Sequence, residues 1–205
     1  MILNNYPRLK ASLKYCLEVS TGYWVRWHLP TDGKPSWEIT FDDGPLPNTR
    51  HILAVLDDFQ MKATFFMVAK RMLTYPDIVA EVVSKGHTIG SHGYDHIVLK
   101  KLPLPEFRRQ IKASFAVIET LAGPQPRIFR PPWGQISPWQ TAWLLRQGIK
   151  VVFWSHQLAD DHSALVEPCP AWTPCGPIIL FHDYDKIEVL NQVISICREI
   201  NNRKL

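Results

Sequence analysis

Short β-rich apolar runs alternate with longer amphipathic stretches along most of the chain after Pro35. The apolar runs lie at 37–41, 64–68, 87–90, 128–130, 151–154 and 178–181. Patterns of helical period lie between or after them, at 48–59, 76–85, 104–121, 137–147 and 186–200. Prolines stand near several predicted helix starts, and glycines follow several predicted helix ends. This alternation predicts an α/β domain built on a parallel sheet, either open or closed into a barrel.

The N-terminal residues do not share this alternation. Leu9, Leu13 and Leu17 are spaced by four among basic and aromatic neighbours, which indicates a helix. We expect this helix to pack on the domain, and the alternative is a helix that binds a membrane surface or a partner. The predicted division is therefore an N-terminal extension at 1–34 and one main domain at 35–205.

The composition excludes several classes of protein. The chain has 205 residues, of which 46% are hydrophobic and 20% charged, as in an ordinary globular domain. Its net charge of +4 is not concentrated in a basic stripe, so we expect no nucleic-acid partner. No apolar run reaches the roughly 18 residues of a transmembrane helix, and no secretory leader pattern opens the chain. We therefore expect a cytoplasmic protein, with peripheral membrane contact through residues 8–28 left open.

The cysteines do not form a zinc-binding pattern. They are Cys16, Cys169, Cys175 and Cys197, and no two of them make a CxxC pair. A zinc ribbon is therefore disfavoured, and buried thiols are the simpler interpretation. Cys169 and Cys175 are close enough in sequence to bridge, but the sequence does not decide whether they do.

Polar side chains cluster where the predicted strands end. Asp42 and Asp43 directly follow an apolar run, and His92, Arg130 and His182 stand at or just after the ends of later runs. In parallel α/β folds this edge of the sheet is where active sites are built. We therefore expect these side chains to meet in one site.

Two of these clusters have the composition of a metal centre. Asp42 and Asp43 could cap a turn, or they could divide into a metal ligand and a general base. His92 and His96 are spaced so that one helical turn would place both imidazoles on the same face, although surface histidines show the same spacing. With Asp43 they make a His₂Asp set with an open position, and His87 is interpreted as a strand-edge histidine instead.

The two remaining clusters could position and move protons. Prolines after Arg130 rigidify its loop, so that a buried guanidinium could pair with Asp42 and hold it ionised. Backbone N–H groups of the same loop, such as that of Trp133, could stabilise an oxyanion, and the alternative is a structural turn with an exposed tryptophan. His182 ends a buried strand, where it could act as a general acid.

Taken in order, these motifs resemble the polysaccharide deacetylase family, also called the NodB-homology or carbohydrate esterase 4 family. The matching segments are TFDD at 40–43, HxxxH at 92–96, RPPW at 130–133 and LFH at 180–182. The resemblance covers about residues 36–200 and implies a distorted (β/α) barrel of the NodB-homology type. It also implies hydrolysis that removes N-acetyl groups from an amino sugar or glycan.

The resemblance implies one divalent metal ion, with Zn²⁺ expected, held by Asp43, His92 and His96. The metal would polarise the amide carbonyl and its bound water, and Asp42 would take the proton of that water. His182 would protonate the departing amine.

The remaining site residues would contact the substrate. They are Trp133 and Pro132 for the oxyanion, and Leu180 and Trp154 for the wall around the acyl methyl group. The expected partners are N-acetylated sugars, glycans or glycolipids. Two alternatives stay open, which are a non-catalytic carbohydrate-binding module with the same fold and an amidase for a small non-sugar amide.

The family's fourth motif is altered. A Trp-Ser pair is normally followed by Asp-x-x-Asp-Trp, but here Gln157 stands where the first aspartate is expected and Asp161 replaces the tryptophan. Asp160 is the position that still fits. We expect its carboxylate to reach His182 or Arg130 and tune the acid, and the alternative is a solvated turn.

Overall fold

The computed structural model describes residues 25–26, 38–154, 156–158, 165–166, 178–183, 191, 193–195 and 197–198. These residues form a nine-stranded sheet in the order β1-β6-β5-β4-β3-β2-β9-β7-β8. The strands are β1 Val25–Arg26, β2 Glu38–Asp42, β3 Ala63–Met67, β4 Thr88–Ser91, β5 Ile128–Phe129, β6 Lys150–Val152, β7 His156–Leu158, β8 Leu165–Val166 and β9 Ile178–His182. Every neighbouring pair is parallel except β7 and β8. Among the described strands β1 and β8 do not pair, so the predicted distorted (β/α) barrel is confirmed as an incomplete one.

Five helices accompany the sheet in the described part of the chain. They are α1 Thr49–Asp58, α2 Ala69–Thr74, α3 Pro76–Ser84, α4 Leu104–Ala122 and α5 Pro138–Arg146. Helix α5 begins with a capping box, because the Ser137 and Gln140 side chains each bond the other's backbone N–H. In addition, 3₁₀ turns lie at Leu99–Lys101 and Pro132–Gly134. None of the helices described here has both the length and the apolar character to cross a membrane.

Alternation of side chains along the strands creates two apolar layers. Phe41 stacks between Phe65 and Phe181 on the face that the helices cover, with ring centroids 5.0 and 5.5 Å away. The opposite, concave face buries a smaller cluster that includes Phe66 and Ile178. Stacked aromatic rings add to the burial of apolar area, so the central strands β2, β3 and β9 form a rigid support.

The six strands predicted from the apolar runs are all present, with ends shifted by one or two residues. The predicted helices at 48–59, 76–85, 104–121 and 137–147 are also confirmed. Of the predicted helix at 186–200, the described positions are all helical. The sequence analysis missed the six-residue helix α2 and the very short strands β1, β7 and β8.

The N-terminal extension is largely outside the described residues. Val25 and Arg26 are described, and they form an edge strand that pairs with β6 rather than part of a helix. The boundary at residue 34, the predicted helix and the membrane contact through residues 8–28 otherwise stay predictions.

Cys197 is free and buried, as expected, and burial raises the pKa of its thiol to about 11. The other three cysteines, including the Cys169 and Cys175 pair whose bridging the sequence leaves open, lie outside the described residues.

Candidate metal centre and active site

The two aspartates lie at a sharp turn after β2. Asp42 ends the strand, and Asp43 adopts a left-handed conformation with φ of 73° before a cis Gly44–Pro45 bond. Both side chains are buried. A left-handed conformation is unfavourable for a residue with a Cβ, so neighbouring structure must hold Asp43 in place.

Helix α2 holds this turn from one side. The guanidinium of Arg71 donates from Nη1 to the backbone carbonyl of Asp43. The backbone N–H of Val68 donates to the carbonyl of Gly44 at 2.9 Å. These two bonds hold the carbonyls of two consecutive peptide groups, at Asp43 and Gly44, and oppose relaxation of the turn.

Asp183 holds the turn from the other side. Its carboxylate accepts a hydrogen bond from the Thr49 hydroxyl, and its backbone N–H donates to the Asp42 carbonyl at 3.0 Å. A Cβ at Gly44 would overlap the Asp183 carboxylate, so only glycine fits there. The sequence analysis missed Arg71, Thr49 and Asp183 because their contacts join segments far apart in the chain.

The HxxxH segment is a loop, so the predicted helical turn is wrong. After β4 the chain reverses through Gly93, with φ of 87°, and His96 is itself left-handed with φ of 54°. The side chain of Gln110 donates to Asp95 at 2.9 Å and anchors the loop to α4. The first N–H groups of α2 donate to the carbonyls of Gly93 and Tyr94. Loop curvature, rather than helical period, therefore brings the two imidazoles together.

The predicted metal ligands do converge. Oδ1 of Asp43 lies 2.8 Å from Nε2 of His96 and 3.5 Å from Nε2 of His92. One ligand atom from each of the three residues lies within 4.8 Å of the others. Burial raises the pKa of Asp43, but the hydrogen bond from His96 and the nearby histidine charges outweigh it and hold that pKa well below its ordinary value. The carboxylate is therefore ionised and ready to bind a cation.

The protonation of His92 also suits a metal. Its Nδ1 lies 2.8 Å from the backbone carbonyl of Arg130. A carbonyl only accepts, so Nδ1 carries the proton and the lone pair of Nε2 faces Asp43. Burial lowers the pKa of His92, against the opposing charges of the two aspartates. The three residues thus fit a divalent cation in donor type, charge and tautomer.

Arg130 is fully buried beneath Asp42. Its Nη1 donates to Oδ1 of Asp42 at 2.7 Å and to Oγ1 of Thr40 at 2.8 Å. Its Nε and Nη2 donate to the carbonyls of Val152 and Phe153. Burial lowers the pKa of Arg130, and the Asp42 charge opposes this. The predicted pairing of Arg130 with Asp42 is confirmed.

His182 reaches the site from the neighbouring strand. The parallel register of β2 and β9 places it opposite Asp42, and Leu180 opposite Thr40. All four side chains are therefore on the concave face of the sheet. His182 is half-buried and Leu180 is buried.

A cavity of about 260 Å³ opens over these groups. Its lining residues are Asp42, Asp43, His92, His96, Trp133, Trp154, Gln157, Leu180 and His182. Eight of these were predicted from the sequence, and Gln157 was noted there only as a departure from the family pattern. Trp133 is left-handed and 54% exposed, with its ring 4.4 Å from that of His96.

Two predicted site residues support the cavity without lining it. Arg130 lies beneath it, and Pro132 is buried in the 3₁₀ turn. Asp160 lies outside the described residues, so its predicted role stays a prediction. His87 is not part of the metal cluster, as expected, because it is buried before β4 and its Nδ1 accepts from the Ala63 N–H at 3.2 Å.

A model of the family described as polysaccharide deacetylase matches residues 30–152. The chain belongs to the polysaccharide deacetylase family. This deacetylase-family chain is 39% identical to a peptidoglycan-N-acetylglucosamine deacetylase of Bacillus cereus, over 60% of its own length and 45% of that relative. It is 32% identical to another Bacillus cereus protein of the same name, over 89% of both. The chain therefore spans less than half of the first relative and most of the second.

Solved structures agree with this assignment. The crystal structure of the Bc1960 peptidoglycan N-acetylglucosamine deacetylase, in complex with 4-naphthalen-1-yl-N-oxidanyl-benzamide, is similar with a TM-score of 0.78. The two sequences are 28% identical, and the match covers 90% of each chain. The family fold thus extends over most of the deacetylase-family chain.

Proposed function

We propose that this deacetylase-family chain hydrolyses the N-acetyl group of an amino sugar within a glycan. The observation that carries the proposal is the buried Arg130–Asp42 pair beside the Asp43, His92 and His96 cluster, with His182 on the adjacent strand. A base, a metal-ligand set and an acid thus face one cavity. The names of its relatives support an N-acetylated amino sugar as the substrate class.

Asp43, His92 and His96 would hold the metal, and their two nitrogens and one carboxylate oxygen favour Zn²⁺. When bound, this ion supplies Lewis acidity to the acetamide carbonyl and to the attacking water. All three residues line the cavity, so a substrate that enters it would reach the ion.

Asp42 is the general base in this proposal. Its Oδ1 is bound by Arg130, and its Oδ2 lies 3.8 Å from Nε2 of His92 and so faces the metal ligands. Oδ2 is therefore the atom that takes a proton from the attacking water as the oxygen bonds to the carbonyl carbon. Arg130 holds the carboxylate in orientation through this hydrogen bond.

His182 is the general acid. It donates a proton to the sugar nitrogen as the C–N bond breaks, which releases acetate and a free amine. Its place opposite Asp42 puts acid and base on the same face of two hydrogen-bonded strands. The substrate is then held between the two groups. Asp42 takes a proton from the water, and the amine nitrogen receives a different proton from His182.

The apolar residues around these groups suit an acetyl group on a sugar. Leu180 and Trp154 both line the cavity and supply apolar surface that can shield the methyl group from water. Trp133 presents a large exposed ring beside His96, against which a sugar ring can pack. The backbone N–H of Trp133 is the proposed oxyanion donor, because the left-handed turn at this residue redirects the main chain.

The test is acetate release from N-acetylated chito-oligosaccharides and from peptidoglycan by the full chain supplied with Zn²⁺. We expect turnover and about one bound metal ion per chain by elemental analysis, with both lost in Asp43→Ala and His96→Ala. The exposed His51→Ala on α1 is the matched control and keeps both.

The outcomes separate the alternatives. Sugar binding without acetate release at full metal occupancy would favour a non-catalytic binding module. Turnover of small non-sugar amides with none of glycans would favour the amidase. Either result overturns the proposed function.

A further inference from the structure

Gln157 lines the cavity beside the proposed acid but has no role in the proposed reaction. We infer that Gln157 is a specificity-determining residue whose side-chain NH₂ donates a hydrogen bond to an oxygen of the substrate sugar. This inference rests on the proposed function and adds a group that selects the substrate.

The position of Gln157 follows from the sheet. β7 pairs with β9 in parallel, and Gln157 stands opposite Leu180. Leu180 and His182 are two positions apart on β9, so both face the cavity. Gln157 therefore lies in the cross-strand row of Thr40 and Leu180, next to the row of Asp42 and His182.

The orientation of the Gln157 amide is fixed by Trp154. The indole Nε1 lies 2.8 Å from Oε1 of Gln157. An indole N–H can only donate, so the amide atom that faces it must be the oxygen. The opposite atom, Nε2, carries two donor hydrogens and makes no side-chain hydrogen bond to any described residue. A half-buried cavity donor of this kind is satisfied by water or by a ligand.

The chemistry of the cavity indicates what this donor binds. Asp42 and Asp43 supply acceptors, and the acetamide carbonyl is met by the proposed metal and oxyanion groups. Gln157 adds a neutral donor to the lining of the cavity, which suits a hydroxyl, ether or carboxylate oxygen of the sugar. An aspartate at this position, as the family motif has, would accept hydrogen bonds instead of donating them. The glutamine thus presents a hydrogen-bond donor to the cavity where an aspartate would present an acceptor.

Gln157→Glu is the decisive variant, because glutamate keeps the shape and the oxygen that accepts from Trp154 but removes the donor. We expect KM to rise about tenfold with kcat changed less than about threefold, since a hydrogen bond made equally in ground and transition states affects binding alone. Gln157→Met removes the donor without adding charge, and it should give a similar rise in KM.

Binding is also measured without turnover, as the Kd for a chito-oligosaccharide in an Asp42→Asn background. The Kd should rise about tenfold in both Gln157 variants, with melting temperature and metal content unchanged. Gln147→Glu and Gln147→Met are the matched controls, because Gln147 is exposed after α5, and they should leave KM and Kd unchanged.

The inference is overturned if both Gln157 variants keep the wild-type KM and Kd. It is also overturned if they lose melting temperature or metal while substrate affinity stays constant, since that shows a structural role. Failure of the wild-type chain to release acetate from any amino sugar would instead reject the proposed function. The two failures are therefore distinguishable.

Discussion

Arg130 donates from Nη1 to Oδ1 of Asp42 across 2.7 Å, and both side chains are removed from solvent. The guanidinium also stacks 4.1 Å from the ring centroid of Phe66. A buried charge pair of this kind is costly to break, because removal of one partner leaves the other charge uncompensated. The proposed base is therefore held in one orientation by residues that do not touch the substrate.

Replacement of Asp42 by asparagine tests the role of the base. Asp42→Asn should lower kcat at least about 10²-fold, because the amide cannot take a proton from water. Metal content should be unchanged, since the proposed ligands are other residues. Acetate release and elemental analysis on the same sample give both values. Near-normal turnover at full metal occupancy would reject Asp42 as the base.

Replacement of Arg71 tests the clamp on the metal ligand. Arg71→Ala removes the donor to the Asp43 carbonyl, so the left-handed turn can relax and move the carboxylate. We expect metal affinity to fall about 10-fold to 100-fold, the range for groups that orient ligands. Competition with a chelator measures the change.

Arg50→Ala is the matched control for Arg71→Ala. Arg50 lies on α1, and its guanidinium forms exposed ion pairs with Asp77 and Glu81 of α3 rather than a bond to the Asp43 turn. Exposed pairs of this kind contribute little to stability, so metal affinity should be unchanged. Equal affinity in Arg71→Ala and wild type would show that the turn holds without this bond.

Substitution of Gly44 tests its packing against Asp183. Gly44→Ala should lower the free energy of unfolding by about 1–3 kcal/mol, because its methyl group overlaps a buried carboxylate. Removal of that carboxylate in Gly44→Ala/Asp183→Ala should make the double variant more stable than the sum of the two single changes predicts. Urea denaturation of all four proteins measures the coupling. Additive effects would contradict the contact.

His87 predicts a pH dependence of stability. Burial, together with the charge of Lys62, lowers the pKa of His87 to about 4, from 6.5 for an ordinary histidine. The unfolded chain therefore binds the proton first as the pH falls. The contribution of His87 to stability is constant above about pH 6.5, decreases between pH 6.5 and 4, and levels off below, with a loss of up to about 3 kcal/mol.

The measurement is the free energy of unfolding against pH in chelator, so that metal release does not contribute. His87→Gln keeps an acceptor for the Ala63 N–H but does not titrate, and its curve should be flatter than that of the wild type over this range. His51→Gln, at an exposed position, should leave the slope unchanged. Equal slopes in His87→Gln and wild type would reject the assignment.

The central strands could be predicted from sequence because each is a continuous apolar run bounded by breakers, as expected for strands buried on both faces. The same local signal is absent from β7, of three residues, and from α2, which follows β3 after a single residue. Short elements are stabilised by tertiary contacts rather than by their own periodicity. They could not be predicted from a pattern along the chain.

The identity of the site residues could be predicted from the sequence more completely than their geometry. Asp43 and the two histidines were expected as a cluster, but the helical turn was wrong because Gly93 and the left-handed His96 reverse the chain. Periodicity reports regular structure, whereas positive φ angles depend on the surrounding packing. No pattern in the sequence indicated a role for Arg71, because its bond to Asp43 forms only when folding brings β2 and α2 together.

The pairing of β2 with β9 joins the beginning of the described domain to its last strand. During synthesis, Asp42, Asp43, His92 and His96 leave the ribosome well before His182. Asp183 follows β9 directly and donates from its backbone N–H to the Asp42 carbonyl, so the turn that carries Asp43 lacks this support until β9 has been synthesised and has docked. In a nascent chain the proposed metal ligands and the proposed acid would therefore reach their places together, when the last strand closes against β2.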